Sequence, residues 1–357
     1  MQLSRYFIFS LLALIPYVSF SQATITGKVT DAETGQALQG ASVFAQNTTK
    51  GVITDGEGVY KLFLNKGGYE LIVSFTGFVS EVIKVEANED KQLDIALKKV
   101  EKNMEEVVIT ASNEVADGWE KYGDFFIDHF IGATPFSDSC VLVNPEALKF
   151  YYYKRSDKLK VLAEEPLQIA NKSLGYNLRY QLDSFVYHYK TSINSYRGNC
   201  LYTAMEGTEE EQKAWADNRK KVYDGSRLHF LRSYYDSSLK EAGFTVDLLQ
   251  SSSAKNFARL ANPYDSSYYY FNDSTNHAEL WFPQKASITY GKKAPESAYL
   301  EQFKLPKDVK MQISYIDLSD GIVIQPNGFF FDQRSWINQG YWSWKNIADQ
   351  LPYDYEP

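Results

Sequence analysis

The chain has 357 residues, 44% hydrophobic and 23% charged, a globular composition that excludes wholesale disorder and gives room for about two domains. Its 45 Asp and Glu against 37 Lys and Arg leave a formal charge of −8, with basic residues only in short scattered runs, so it lacks the footprint of a protein that grips a nucleic-acid backbone. Aromatic residues make up 15% of the chain, with 27 Tyr and 6 Trp, a texture suited to pleated surfaces that keep one wet face.

Residues 1–21 carry one arginine (Arg5), an apolar run from Phe7 to Phe20 broken by Pro16, and Ser19-Phe20-Ser21 before Gln22. That is the pattern of a secretory signal peptide. The run is too short for a membrane anchor, no cysteine follows it to take a lipid, and no later stretch is apolar for long enough to span a bilayer. The expectation is an exported protein, periplasmic or associated with the outer membrane or cell surface. In an oxidising compartment Cys140 and Cys200 could pair as a disulfide, the competing reading being two unrelated buried thiols.

From residue 22 to 99 short alternating runs are punctuated by turn residues every eight to twelve positions, the rhythm of an all-β sandwich. Ile25, Gly27 and Val29 open it, and Ser42 to Ala45 form a second run. Asp55-Gly56-Glu57-Gly58 supplies a turn before Tyr60, Leu62 and Leu64, and Lys66-Gly67-Gly68 another before Leu71, Val73 and Phe75. Ile83 with Val85, then Leu93, Ile95 and Leu97, add two further edges. Residues 100–112 read as a linker or an extra edge strand.

The string ITGKVTDAETGQALQGASVFAQNTTKGVITDGEGVYKL (Ile25 to Leu62), with YELIVSFTGF (Tyr69 to Phe78), resembles the carboxypeptidase regulatory-like domain. The resemblance implies a transthyretin- or Ig-like sandwich of Gram-negative envelope proteins, an interaction or spacer module that brings no peptidase activity. The ligands of such a peptidase can be sought directly, since its zinc needs His and Glu at short set spacings and a third ligand downstream. The four histidines, His129, His188, His229 and His277, lie in no such pattern; His277-Ala278-Glu279 is the nearest approach. Neither a metal nor a cofactor is expected. The stretch Glu105 to Thr110 resembles the energy-coupling segment of TonB-dependent outer-membrane receptors, although the chain beyond it is too short for a receptor's plug and barrel.

Residues 113–357 read as a β-rich α+β domain of unknown function. A helix is predicted from Glu114 to Phe130, with Val115, Trp119, Tyr122, Phe126 and Phe130 on one stripe and Gly132 as its stop. Strands follow at Leu148 to Tyr153, Lys158 to Ala163, Leu167 to Ile169 and Tyr176 to Tyr189. Thr208 and Glu211 form a capping box for a helix that Asp224-Gly225 splits or kinks and Gly243 closes. A last helix is expected from Ser343 to Leu351, stopped by Pro352. The aromatic blocks at Tyr268 to Phe271, Trp281-Phe282 and Phe329 to Phe331 could stack on sugars, but consecutive residues in a strand face opposite sides, which favours packing. The blocks from Phe130 to Tyr152, Leu174 to Tyr189, Asn218 to Phe244 and Gly340 to Pro357 resemble the exported carboxypeptidase-like regulatory domain-containing proteins over almost the whole chain, a likeness that carries no catalytic residues with it.

No serine-hydrolase elbow, P-loop or dinucleotide fingerprint occurs. The expectation is therefore a non-enzymatic envelope protein whose larger domain binds a protein, a peptide or a glycan. The alternatives are a hydrolase using carboxylates with His188, His229 or His277, and an accessory of an outer-membrane transport system. The candidate binding residues are Asn144 and Glu146 around a turn, and Asn218, Arg219, Tyr223 and His229 on the second helical stretch; turn chemistry and a solvated helix face are the competing readings.

Overall fold

In a computed structural model, residues 22–100, 113–250, 256–331 and 333–357 are described. The signal-peptide expectation and the Glu105 to Thr110 stretch both lie outside them.

The N-terminal unit is the expected sandwich. One sheet joins β1 (Gln22–Asp31) to β4 (Val59–Asn65), with β7 (Lys91–Gln92) and β8 (Ile95–Leu97) parallel to β1. The other runs β3 (Gly51–Ile53), β2 (Ser42–Ala45), β5 (Gly68–Ser74) and β6 (Glu81–Glu86). Alternate residues Ile25, Val29, Leu62, Leu64, Leu71 and Val73 close the core between the sheets, as the period-2 pattern requires. The turn into β4 is held by the Asp55 carboxylate, which accepts from the amides of Glu57 and Val59, and Gly58 takes φ 76°. Phe44 and Ile72 are also fully buried, yet they point away from that core. They do so because β2 and β5 lie against the rest of the protein; the sandwich is docked rather than held out as a spacer.

The region after it is β-rich with helices and contains two hydrophobic cores. The first core sits under a six-stranded antiparallel sheet. Helix α1 (Gly118–Phe130) packs on that sheet, whose strands are β9 (Cys140–Leu142), β10 (Leu148–Tyr153), β11 (Lys158–Ala163), β12 (Leu167–Asn171), β13 (Tyr176–His188) and β14 (Ile193–Ala204). Helix α2 (Glu209–Tyr223) lies against the first core through Val222, and the second core is covered by α3 (Arg227–Tyr235) and α4 (Leu239–Ala242) and by two smaller sheets. Their strands are β15 (Phe244–Leu249), β16 (Phe257–Arg259), β17 (Tyr269–Asn272), β18 (His277–Leu280), β19 (Ala286–Tyr290), β20 (Gln312–Leu318), β21 (Ile322–Ile324) and β22 (Trp336–Gly340). Helices α5 (Ser297–Gln302) and α6 (Tyr341–Trp344) complete it. Ile347 and Ala348 then return to the first core, so the C-terminal segment ties the two together.

Three sequence expectations change. Helix α1 starts at Gly118 rather than Glu114, because Glu114 bridges to Tyr151 and Val115 donates its amide to the Phe150 carbonyl, extending the β10 edge. The single helix expected from Ser343 to Leu351 is instead α6 and a separate 3-10 turn, Ile347–Asp349, because Lys345 and Asn346 take extended backbone. The Cys140–Cys200 bridge is not made: both thiols are free and buried. Cys140 on β9 is separated from Cys200 on β14 by β12 and β13. Three strand intervals of about 4.8 Å far exceed the ~5.5 Å between Cα atoms that a disulfide spans.

The aromatic blocks pack as the alternation argument requires. Tyr269 is buried beside an exposed Tyr270, and Phe329 and Phe330 are buried on opposite sides of their segment, one against Tyr353 and the other against Trp336.

Candidate functional site

A cavity of about 310 Å³ opens where β14, the α2–α3 junction and the C-terminal segment meet. The junction exists because Gly225 breaks the helix at φ 83°, and a side chain there would run into Gln312 and Tyr290. The Gly225 carbonyl, freed from helical bonding, accepts from the Trp342 indole at 2.8 Å, which pins the C-terminal segment across the break. Exposed Ser195, Lys221 and Ser343 stand at the rim, and Val222, Leu228 and Leu231 supply aliphatic wall.

The floor is a charged cluster. The Lys345 ammonium lies 3.2 Å from Glu296 and 2.9 Å from Asp349. Asp349 also accepts from the Thr134 hydroxyl at 2.6 Å, and Glu296 from the Tyr341 hydroxyl, which is itself hydrogen-bonded to the Gln312 amide. Burial pushes the Asp349 carboxyl above its ordinary range, although Lys345 and Thr134 pull it back. For Glu296 burial also acts upward, but Lys345, the Tyr341 hydroxyl and Lys293 outweigh it and hold the carboxyl low. Two carboxylates on one lysine are thus held in different environments, an arrangement that can fix charge and orient a ligand.

None of the six residues nominated from sequence lines this cavity. Asn144 precedes the turn before β10 and ties it to the start of β12, accepting from the Gln168 amide at 2.7 Å and donating to the Pro166 carbonyl at 3.1 Å, while Glu146 is exposed beside it. Asn218 and Arg219 dock α2 on the loop before β13, donating to the carbonyls of Ser173 and Leu174 at 2.9 and 2.7 Å; the Arg219 guanidinium also lies 4.0 Å from the Tyr176 ring centre. Tyr223 stacks on His229 with ring centres 4.8 Å apart. The pairs therefore sit in different places, and their side chains serve turn and packing contacts. The cavity residues escaped notice because they come from distant segments joined only by the fold; the one local signal was Asp224-Gly225.

His229 shows what its burial does. Its Nδ1 accepts from the Gly225 amide at 3.1 Å, and Phe244 and Tyr290 approach its ring edge-on. Burial lowers its pKa to about 4; Asp224 acts against this, and Lys292 and Arg232 act with it. The unfolded chain takes up a proton near 6.5 and the folded one only near 4, so folding stability falls as pH drops through that window. The loss is about 2 kcal/mol once the wet part of the ring is discounted. His229→Phe should flatten this slope in urea unfolding compared at pH 7 and pH 5, and an unchanged slope would assign it to another group.

His188 ends β13, His277 starts β18 and His229 lies on α3, so the three histidines do not converge, and no histidine lines the cavity. Among the described residues no group of three or more His, Cys, Asp or Glu is placed to hold a metal, and no helix is long and apolar enough to cross a membrane.

Residues 25–109 match the family model of the CarboxypepD_reg-like domain. The chain is 28% identical over 108 residues to TonB-dependent receptor P3 of Formosa agariphila, covering 30% of this chain and 11% of the receptor. It is 34% identical over 94 residues to TonB-dependent receptor SusC of Bacteroides thetaiotaomicron, covering 26% of this chain and 9% of the receptor. The chain thus spans about a tenth of the length of the curated relatives it matches. Among solved structures, 3-chlorocatechol 1,2-dioxygenase of Rhodococcus opacus aligns with 23% of this chain and 61% of its own at 12% identity and a TM-score of 0.20, too low to carry an argument. Over residues 25–109 the chain is thus similar to the CarboxypepD_reg-like domain family.

Proposed function

We propose that this chain is a non-enzymatic exported envelope protein in which the N-terminal sandwich braces a larger region, and that the cavity at the α2–α3 junction takes part of a peptide or protein partner. The observation that carries this reading is the cavity wall, where the side-chain amides of Asn194, Asn338 and Gln350 sit among aliphatic Val222, Leu228 and Leu231. Amide groups offer the paired donors and acceptors that a peptide backbone needs, and aliphatic wall accepts its side chains. Sugar binding calls instead for a flat exposed ring, whereas Tyr341 and Trp342 are buried at this site. The separation of the three histidines weighs against hydrolysis at this site.

A second reading, an accessory of outer-membrane transport, is favoured by the fact that both curated relatives are TonB-dependent receptors.

The test of the first reading is thermal melting with a pool of short peptides, for the unaltered protein and for Ser195→Trp, which places a ring at the rim from an exposed strand position. The unaltered protein should gain several degrees while Ser195→Trp keeps its own melting point and gains nothing. No gain for either, or equal gains, would overturn the reading.

A further inference from the structure

The charges around the cavity do not all cancel. Glu296 and Asp349 are both engaged by Lys345, and Lys293 approaches Glu296 at 3.8 Å. That leaves Lys221, Arg227 and Asp224 on the wall. Among the described residues none of the three makes an ion pair. Lys221 donates only to Asn218, at 3.3 Å. The Arg227 side chain makes no hydrogen bond; its guanidinium lies 6.0 Å from the centre of the Phe330 ring. An arginine on the cavity wall whose donor fork makes no ion pair or hydrogen bond within the fold keeps its N–H groups for a ligand's acceptors.

Resting on the reading of this cavity as a peptide site, we propose that Arg227 receives the terminal carboxylate of the bound peptide. Two parallel N–H donors of one guanidinium match the two oxygens of a carboxylate, and the uncommitted charges on the wall, two cations against one anion, favour an anionic group. The volume points the same way. About 310 Å³ is at the low end of the ~300–1,000 Å³ that hold small ligands, which suits the end of a chain rather than a threaded stretch. The aliphatic residues Leu228 and Leu231 lie one and four positions along the same helix as Arg227, so a carboxylate held there brings the last side chain of the peptide to an apolar wall. Asp224, three residues before Arg227, opposes the same carboxylate and sets a limit on its affinity.

The experiment is calorimetry on the full chain with Ala-Ala-Leu as the free acid, the same tripeptide as its C-terminal amide, and succinate. The acid should bind at least tenfold tighter than the amide. Arg227→Gln should remove that difference with little change in the melting point, since the Arg227 side chain makes no ion pair or hydrogen bond within the fold; Arg227→Lys should recover only part of it; and Asp224→Asn should tighten the acid severalfold. Equal binding of acid and amide, unaffected by Arg227→Gln, would overturn the carboxylate assignment while leaving a peptide site standing. Succinate binding as tightly as the tripeptide acid would overturn the peptide source in favour of free carboxylates. No binding of either tripeptide would remove both this inference and the peptide reading beneath it.

Discussion

Lys345→Met is expected to cost about 3–5 kcal/mol of stability at pH 7, read from urea unfolding. The side chain of Asp349 is 1% exposed, and Lys345 is its counter-charge at 2.9 Å; removing the ammonium leaves a buried carboxylate with only the Thr134 hydroxyl. Methionine preserves most of the apolar stem, so the loss reports charge rather than packing. Glu296 suffers less, since it keeps Lys293 and the Tyr341 hydroxyl. The pH dependence fixes the cause. Burial already raises the Asp349 pKa above its ordinary 3.8 and Lys345 lowers it, so without Lys345 it rises further. A carboxyl whose folded pKa exceeds its unfolded one loses stability as pH rises through the folded value, so the variant should approach the unaltered protein in acid and diverge from it toward neutral pH. Adding Asp349→Asn to Lys345→Met should restore most of the loss, because a neutral amide needs no counter-charge. A variant within 1 kcal/mol of the parent at every pH would show that water solvates Asp349.

The parts of this protein that could be read from its sequence are those whose cause is local. The Asp55 to Gly58 turn, the Thr208–Glu211 capping box with bonds in both directions, the αL glycine at Gly243 and strands β10 and β11 all rest on residues a few positions apart. What escaped depends on contacts across the chain. Ile72 sits on the strand face that a two-layer sandwich would leave wet, and only the docking of a second region buries it. The stripe Trp344, Ile347, Ala348 and Leu351 has helical spacing, but the Lys345 side chain reaches Glu296, 49 residues earlier in the chain, and the helix is interrupted there. The cavity is legible for the same reason only in part. Asp224-Gly225 marked the break that shapes it, whereas Tyr196, Glu296, Asn338 and Asp349 meet only once three separate segments have folded.

Deleting Tyr353 to Pro357 should have an effect of similar size, about 4 kcal/mol, and should divide a single melting transition into two. This segment lies between the sandwich and α3 and bonds to both. Toward the sandwich, the Tyr353 amide donates to the Asn47 carbonyl at 2.8 Å, and the Asp354 carboxylate accepts from the Thr49 amide at 2.9 Å and from its hydroxyl. Toward α3, Arg232 donates to the carbonyls of Tyr353 and Tyr355, both at 2.8 Å, and the Tyr353 ring packs edge-on against Phe329. Bonds to charged groups contribute about 1.5–3 kcal/mol each, and removing the segment leaves Arg232 with one carbonyl, that of Asn327. The sandwich would still be held by β14, through the Asn47 amide on the Cys200 carbonyl and the Tyr202 amide on the Thr48 carbonyl, and by Asn327 on Gly68. Those bonds are neutral, and with the buried Phe44 and Ile72 they are expected to hold the sandwich to the first core more firmly than to the second. Asp354→Asn, which keeps the shape and loses the charge, should cost only about 1–2 kcal/mol and leave one transition. If the shortened protein still melts in one step, the β14 and Asn327 contacts with the buried Phe44 and Ile72 suffice to couple the sandwich to the cavity-bearing region, and the segment serves only to close the cavity wall at Tyr353.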